Sequence, residues 1–346
     1  RTASLETVRA QASGLTPDGA SGTVVSVTGR VRAVRDYGGV TFVDLHEDGA
    51  HLQVIAEHGR TTDDVRALWR TSIDMGDLVS VTGEVIRSRT GEPSVLLASW
   101  AMAGKCLSPV PKTRARLGDE TRARNRPLEL ITDDGAVDLL YRRSRAVAAM
   151  RAVFVGRDFT EVETPMLQSV HGGAAARPFT THINAYDMGL YLRIAPELYL
   201  KRLAVGGMGR IFELNRNFRN EGADATHNPE FTALEAYEAY GDYTTMRTLT
   251  REVILAAAVA VNGKPVAVRP DGDGGTREVD LTAEWPVVTV HSAVSKAAGV
   301  ELTSASTLEE VSAVCARHHV TVPRGATAGK LVMELYEALV EKQTEF

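Results

Sequence analysis

The segment Ile211–Arg219, IFELNRNFR, alternates without a break, and few folds accept such a stretch. In an extended chain Phe212, Leu214 and Phe218 point one way, and Glu213, Asn215, Asn217 and Arg219 the other. One face has to pack on a core while the other carries a crowd of polar groups. Phe231–Tyr237, FTALEAY, repeats the pattern with Phe231, Ala233, Glu235 and Tyr237 on one side. The polar stretch Asn220–Glu230 between them is a loop, so the two segments predict an antiparallel pair. If the polar faces coincide, Arg219, Glu235 and Tyr237 converge beside Phe231. That is a guanidinium for an anion, a carboxylate for an amine and a flat ring for a base. A sheet that turns its polar side chains to solvent fits the alternation about as well.

Ahead of this pair the chain changes style. Residues 23–103 read as short strands at Val24–Val34, Val40–Leu45, Leu52–Ile55, Leu78–Ile86 and Ser94–Trp100, with a helical piece at 61–71. Val25, Val27, Gly29, Val31 and Ala33 share one face of the first. Turns at Gly38-Gly39, Asp48-Gly49 and Thr90-Gly91 separate strands. Five strands with a helix between the third and fourth fit an OB-type β-barrel, although other small barrels fit nearly as well. A linker with Pro109 and Pro111 follows, then a long amphipathic helix at Val137–Gly156 and mixed strand and helix patterns, an α+β arrangement. The expected domains are 1–104, a linker over 105–134, and 135–346.

The 346 residues are 44% hydrophobic and carry a net charge of −5, which argues against coating nucleic acid by bulk electrostatics. Basic charge is local: Lys112, Arg114, Arg116, Arg122, Arg124 and Arg126 stand against Asp119 and Glu120, a candidate phosphate-contacting stretch or a solvated linker. Two distant cysteines, Cys106 and Cys315, build neither a disulfide framework nor a zinc site, so a reducing compartment is expected. The apolar stretch near 247–261 is too short to span a bilayer. GATAGK at 325–330 has three residues between its glycines where a phosphate loop needs four. The 9 histidines show no paired metal-ligand spacing. The chain starts at Arg1 and stops at Phe346 inside a charged helical pattern, so a fragment is expected.

FRNEGADATHNPEFTALEAY resembles motif 2 of class II aminoacyl-tRNA synthetases, and FTEVETPML at Phe159–Leu167 resembles motif 1 with Pro165 as its proline. GGAAARPF at 172–179 and LYLRIAPELYLKRL at 190–203 are similar to the lysyl branch. Within that branch the whole chain looks most like the synthetase module of bifunctional lysylphosphatidylglycerol synthases. The resemblance implies an N-terminal OB-fold anticodon domain and an α+β core, an antiparallel sheet flanked by helices. It implies a lysine–tRNA ligase that uses ATP and magnesium to make lysyl-adenylate and charge tRNA(Lys), the magnesium being held mainly through the ATP phosphates. It further implies a homodimer in the cytoplasm. In the bifunctional members a membrane-embedded synthase domain lies upstream, tethering the module to the inner face of the membrane and using its lysyl-tRNA for lipid headgroups.

Residue roles follow from the same resemblance. Arg219 would hold the α-phosphate of ATP and the substrate carboxylate, with Glu221, His227 and Phe231 also on the nucleotide. Gly173, Glu197, Glu235 and Tyr237 would face lysine, Glu235 taking the α-amine and Glu197 the ε-ammonium. Pro196 reads as the first residue of a helix with Glu197 in its first turn, where a carboxylate also has a plain use as a dipole partner. An aspartate pocket would need a cation at that position. Arg35, Phe42 and Gln53 match anticodon-contacting positions. Two departures stand out: Ser99 where an acidic residue is usual, and Pro127 where an aromatic is usual. The third family motif does not occur before Phe346, so metal ligands are expected beyond it. A lysylating enzyme acting on protein, or a regulatory module, stays open as another reading.

Overall fold

Helix α1 (Leu5–Ser13) leads into strands β1 (Ala20–Asp36), β2 (Val40–Glu47) and β3 (Ala50–Glu57), helix α2 (Asp63–Ser72), and strands β4 (Leu78–Arg87) and β5 (Pro93–Gly104). In this computed structural model, which describes residues 1–108, 110–111, 117–224, 226–271 and 274–341, the five strands close into a barrel in the order β1-β2-β3-β5-β4. Alternate valines and leucines fill it, among them Val27, Val43, Leu45, Leu52, Val54, Val81 and Val95, with Trp69 of α2. Helix α1 adds Leu5, Val8 and Ala12 to the same core. Ser4 caps it by accepting from the Thr7 amide.

One register expectation needs correction. A bulge between Val31 and Ala33 breaks the alternation of β1, so Arg32 is buried and Ala33 is only half-buried. The buried Arg32 guanidinium faces Asp134, 3.9 Å away.

The segment expected to be a plain linker holds two short helices, α3 (Asp119–Arg124) and α4 (Arg126–Thr132). Glu129, 6% exposed, draws both together by accepting from Arg122 and Arg126, while Arg124 pairs with Glu120. The described half of the basic run is thus matched by carboxylates; Lys112, Arg114 and Arg116 lie outside the described residues. Pro127 stands in the first turn of α4, where its missing amide hydrogen leaves no bond unmade.

Helix α5 (Asp134–Gly156) opens the second half, followed by β6 (Thr160–Glu161), β7 (Leu167–Gln168), β8 (Thr180–Ile183), β9 (Met188–Leu192) and α6 (Glu197–Val205). Then come β10 (Arg210–Phe218), β11 (Glu230–Glu238), α7 (Tyr243–Asn262) and the hairpin β12 (Val266–Pro270) with β13 (Thr276–Asp280). β10 and β11 pair antiparallel as expected, and β6 adds to β10 in parallel. Phe212, Leu234 and Ala236 pack against Phe154 of α5 and Leu249 and Val253 of α7. Phe154 stacks on Phe212 with centroids 4.6 Å apart. The apolar face of the alternating segment is therefore sealed by helices, leaving its polar face for chemistry. No described helix is long and apolar enough to cross a membrane.

The chain divides into two compact units, Arg1–Val279 and Asp280–Phe346. The second packs α8 (Val290–Ala298), α9 (Leu308–Arg317) and α10 (Ala328–Leu339) around Val294, Val311, Cys315, Leu331 and Leu335. Thr307 and Glu310 close a capping box at the start of α9.

Candidate active site

The register of β10 and β11 sets Glu213 opposite Glu235, Asn215 opposite Ala233 and Asn217 opposite Phe231. The two polar faces therefore coincide. Arg219 lies just past β10, and its amide still donates to the Pro229 carbonyl at 2.9 Å, so the pairing carries it into line. Its guanidinium stands 5.1 Å from the centre of the Phe231 ring. Its Nε is a buried donor with no hydrogen-bond partner. A buried unpaired donor of a charged group is costly, and an incoming anion would satisfy it.

Two residues on, Tyr237 donates to Glu235 at 3.1 Å. Burial raises the Glu235 carboxyl above its ordinary value, the Tyr237 bond working against this and the nearby Glu197 carboxylate adding to it. Burial, with Glu235 beside it, likewise raises the Tyr237 hydroxyl, which stays a donor. Glu197 opens α6, with Pro196 immediately before the helix as its cap rather than inside it, a one-residue difference from the expected boundary. Glu197 is half-buried, and one of its oxygens accepts from Lys201 at 2.6 Å. Gly173 has φ +87° and lies against Glu197: a Cβ there would stand 2.8 Å from Glu197 Cβ. The sequence-predicted group Gly173, Glu197, Glu235 and Tyr237 is thus brought together, with Glu235 and Tyr237 opposite Glu213 and Ile211, and Arg219 past the other end of β10 on the same face.

Two residues beside this group were not among the sequence candidates. Arg193, just after β9, and Glu213 form an ion pair at 2.7 Å with both side chains 1% exposed. Thr164 joins it, its hydroxyl donating to Glu213 at 2.6 Å. The signal available was Arg193 itself, a charge inside the apolar run LYLRIAP, which cannot be buried without an opposite partner.

Glu221 accepts from the Arg177 amide at 3.2 Å, and Asn220 donates to the Arg177 carbonyl, tying the GGAAARPF segment to the loop after β10. His227 hydrogen-bonds within that loop, to Asp224 and Thr226. The Thr226 amide foremost, then its hydroxyl and His227, hold the Asp224 carboxyl well below the usual range. Among the described residues no group of three His, Cys, Asp or Glu side chains is set to hold a metal ion.

On the barrel, Phe42 and Gln53 are half-buried on the outer face and Arg35 is exposed. Phe42 meets Tyr37 edge-on at 6.0 Å. Arg35 makes two bonds to Asp44, at 2.6 and 2.8 Å, and Ser94 donates to Gln53 at 3.0 Å. An open groove of about 440 Å³ runs from Arg35 and Gln53 past His46 and His51 to Asp134. Ser99 is exposed on β5.

The model of the family described as tRNA synthetases class II (D, K and N) matches residues 118–334, more than half of the chain. The chain belongs to that family. An OB-fold nucleic acid binding domain matches residues 25–102, so the barrel is an OB fold in front of a class II synthetase core. Among curated relatives, the lysylphosphatidylglycerol biosynthesis bifunctional protein LysX of Gordonia bronchialis is 49% identical over 324 residues, 93% of this chain and 28% of its own length. The protein of the same name from Nocardia farcinica is 49% identical, over 94% of this chain and 29% of its own. That of Mycobacterium tuberculosis H37Rv is 46% identical, over 93% and 28%. This class II synthetase chain therefore spans under a third of the length of the relatives it matches.

Proposed function

We propose that this class II synthetase activates lysine with ATP and transfers it to tRNA(Lys). The observation that carries the reading is the charge pattern of one sheet face: burial first, and the nearby Glu197 carboxylate in addition, raise the Glu235 carboxyl, with the Arg219 guanidinium further along the same face. Free lysine carries two ammonium groups and one carboxylate, the complement of that set. Aspartate and asparagine carry one ammonium and would leave a carboxylate unmatched.

Each residue then has work to do. Glu235 receives the α-ammonium while Tyr237 steadies its second oxygen. Glu197 receives the ε-ammonium, its carboxylate being shared between that group and the Lys201 ammonium, which already donates to one of its oxygens. Arg219, through its unpaired Nε, brings the lysine carboxylate and the α-phosphate of ATP together and stabilises the charge that develops as pyrophosphate leaves. Phe231 offers its ring to adenine, and Glu221 and His227 border the nucleotide. Magnesium would enter with the ATP phosphates. The second-step nucleophile is the terminal hydroxyl of tRNA, whose anticodon would lie on the OB face at Arg35, Phe42 and Gln53.

On this reading residues 1–104 bind the anticodon, 105–134 connect, and 135–346 belong to the synthetic core of a homodimer working at the cytoplasmic side of the membrane. The names of the relatives support a use of the product in making lysylphosphatidylglycerol, with a synthase domain in the same polypeptide. Charging of purified tRNA(Lys) with labelled lysine tests the proposal. Incorporation of lysine is expected, and its absence with aspartate incorporated instead would overturn it.

A further inference from the structure

The Arg193–Glu213 pair touches no group assigned to a substrate, yet both of its side chains are 1% exposed, a depth of burial few ion pairs reach. Burying two charges gives up hydration that their attraction seldom recovers in full, so stability alone is a poor reason for such a pair. Its bonding points elsewhere. Arg193 Nε donates to the Arg216 carbonyl at 2.8 Å, and Nη1 donates to Thr164 and to Glu213. Glu213 accepts in turn from the Thr164 hydroxyl and amide and from the Asn215 side chain. Backbone bonds from Arg193 to Met166 and from Phe218 to Arg193, both 2.9 Å, close the knot.

The two ends of this knot carry the two pocket carboxylates. Glu213 is the direct cross-strand partner of Glu235. Arg193 stands four residues ahead of Glu197, on the segment that enters α6 and whose Ala195 backs Gly173. We propose that Arg193 and Glu213 are positioning residues: the pair fixes the spacing between Glu197 and Glu235, and so the length of diammonium substrate that the pocket accepts. This rests on the pocket being the amino acid site. By neutralising Glu213, Arg193 also leaves only the two outer carboxylates to meet the substrate's two charges.

The test is calorimetric titration of the full chain with lysine and, separately, with ATP. The double variant R193M/E213Q removes both charges and keeps an acceptor for Thr164 and Asn215. It is expected to melt within about 5 °C of the parent, because a buried pair replaced as a whole is often neutral. Its lysine affinity should fall roughly 10²-fold, the scale of a misplacement of about 1 Å, with ATP affinity retained. R193K keeps the charge but loses the planar fork, and should bind lysine with an intermediate loss. It carries the test if the double variant does not fold. Lysine affinity at the parent's level in either folded variant, or equal losses of lysine and ATP, would overturn the proposal. A parent that binds aspartate in place of lysine defeats the substrate reading instead, and the same variants are then compared with aspartate.

Discussion

A Cβ on Gly173 would stand 2.8 Å from the Cβ of Glu197 and 3.1 Å from that of Ala195. The φ of +87° adds strain for any other residue. Gly173→Ala should therefore push Glu197 out of place rather than leave a gap. Lysine affinity is expected to fall at least tenfold, about 1.4 kcal/mol, with ATP affinity retained. Calorimetry with each ligand checks this, and an alanine variant that binds lysine as the parent does would show that Glu197 does not hold the substrate.

Arg219→Ala removes a guanidinium whose Nε is left unpaired for an anion. Adenylate formation should drop by at least the roughly 10²–10³-fold typical of losing one such donor. The fold should survive, because the guanidinium lies over the Phe231 ring, 5.1 Å from its centre, and its buried Nε bonds to nothing that the loss would strand. Single-turnover formation of labelled adenylate is the measurement, and a rate within a few-fold of the parent would remove Arg219 from the chemistry.

The raised Glu235 carboxyl has a pH consequence. Its folded value lies above the ordinary 4.5, so the free protein holds the proton to higher pH than the unfolded chain does. Its contribution to stability is therefore present below 4.5 and is lost as pH rises through the folded value. An ammonium needs the ionised form, so lysine binding should show the opposite trend, weakening as pH falls through the folded value. Protons should be released on binding at the acidic end of that range. Titrations in buffers of different ionisation enthalpy would detect the release, and binding with none and with flat affinity would contradict the role given to Glu235.

Phe42→Ala and Gln53→Ala alter the outer face of the barrel, distinct from the β10–β11 face. Charging of tRNA should slow, by about 1–3 kcal/mol for a lost base stack at Phe42, while amino acid activation is unchanged. Parallel charging and activation assays separate the two; equal loss in both would point to a folding defect.

Strict alternation made the core strands legible: once Ile211–Arg219 and Phe231–Tyr237 were strands of a pair, only the register remained, and Glu213 opposite Glu235 set it as needed. The barrel was legible for the same reason. Helix α1 was not read, although Ser4 as cap and the i, i+3, i+7 spacing of Leu5, Val8 and Ala12 mark it; nine residues are too few to hold a helix alone, and packing of that face on the barrel secures it. The bulge that buries Arg32 left no mark in a smoothly alternating segment. Arg193 escaped because a lone arginine declares no partner, and Glu213 lies 20 residues further on. The short helices at 119–132 depend on Glu129 gathering Arg122 and Arg126, a tertiary arrangement that a basic, proline-containing stretch does not display.

The account turns on which amino acid the pocket activates, and amino-acid-dependent ATP–pyrophosphate exchange across all the common amino acids tests that most directly. Two carboxylates and one guanidinium predict exchange with lysine above every other amino acid, and predict its loss in Glu197→Gln. A charged hydrogen bond of this kind contributes about 1.5–3 kcal/mol. Exchange driven by aspartate or asparagine, or lysine-driven exchange undiminished in Glu197→Gln, would contradict it.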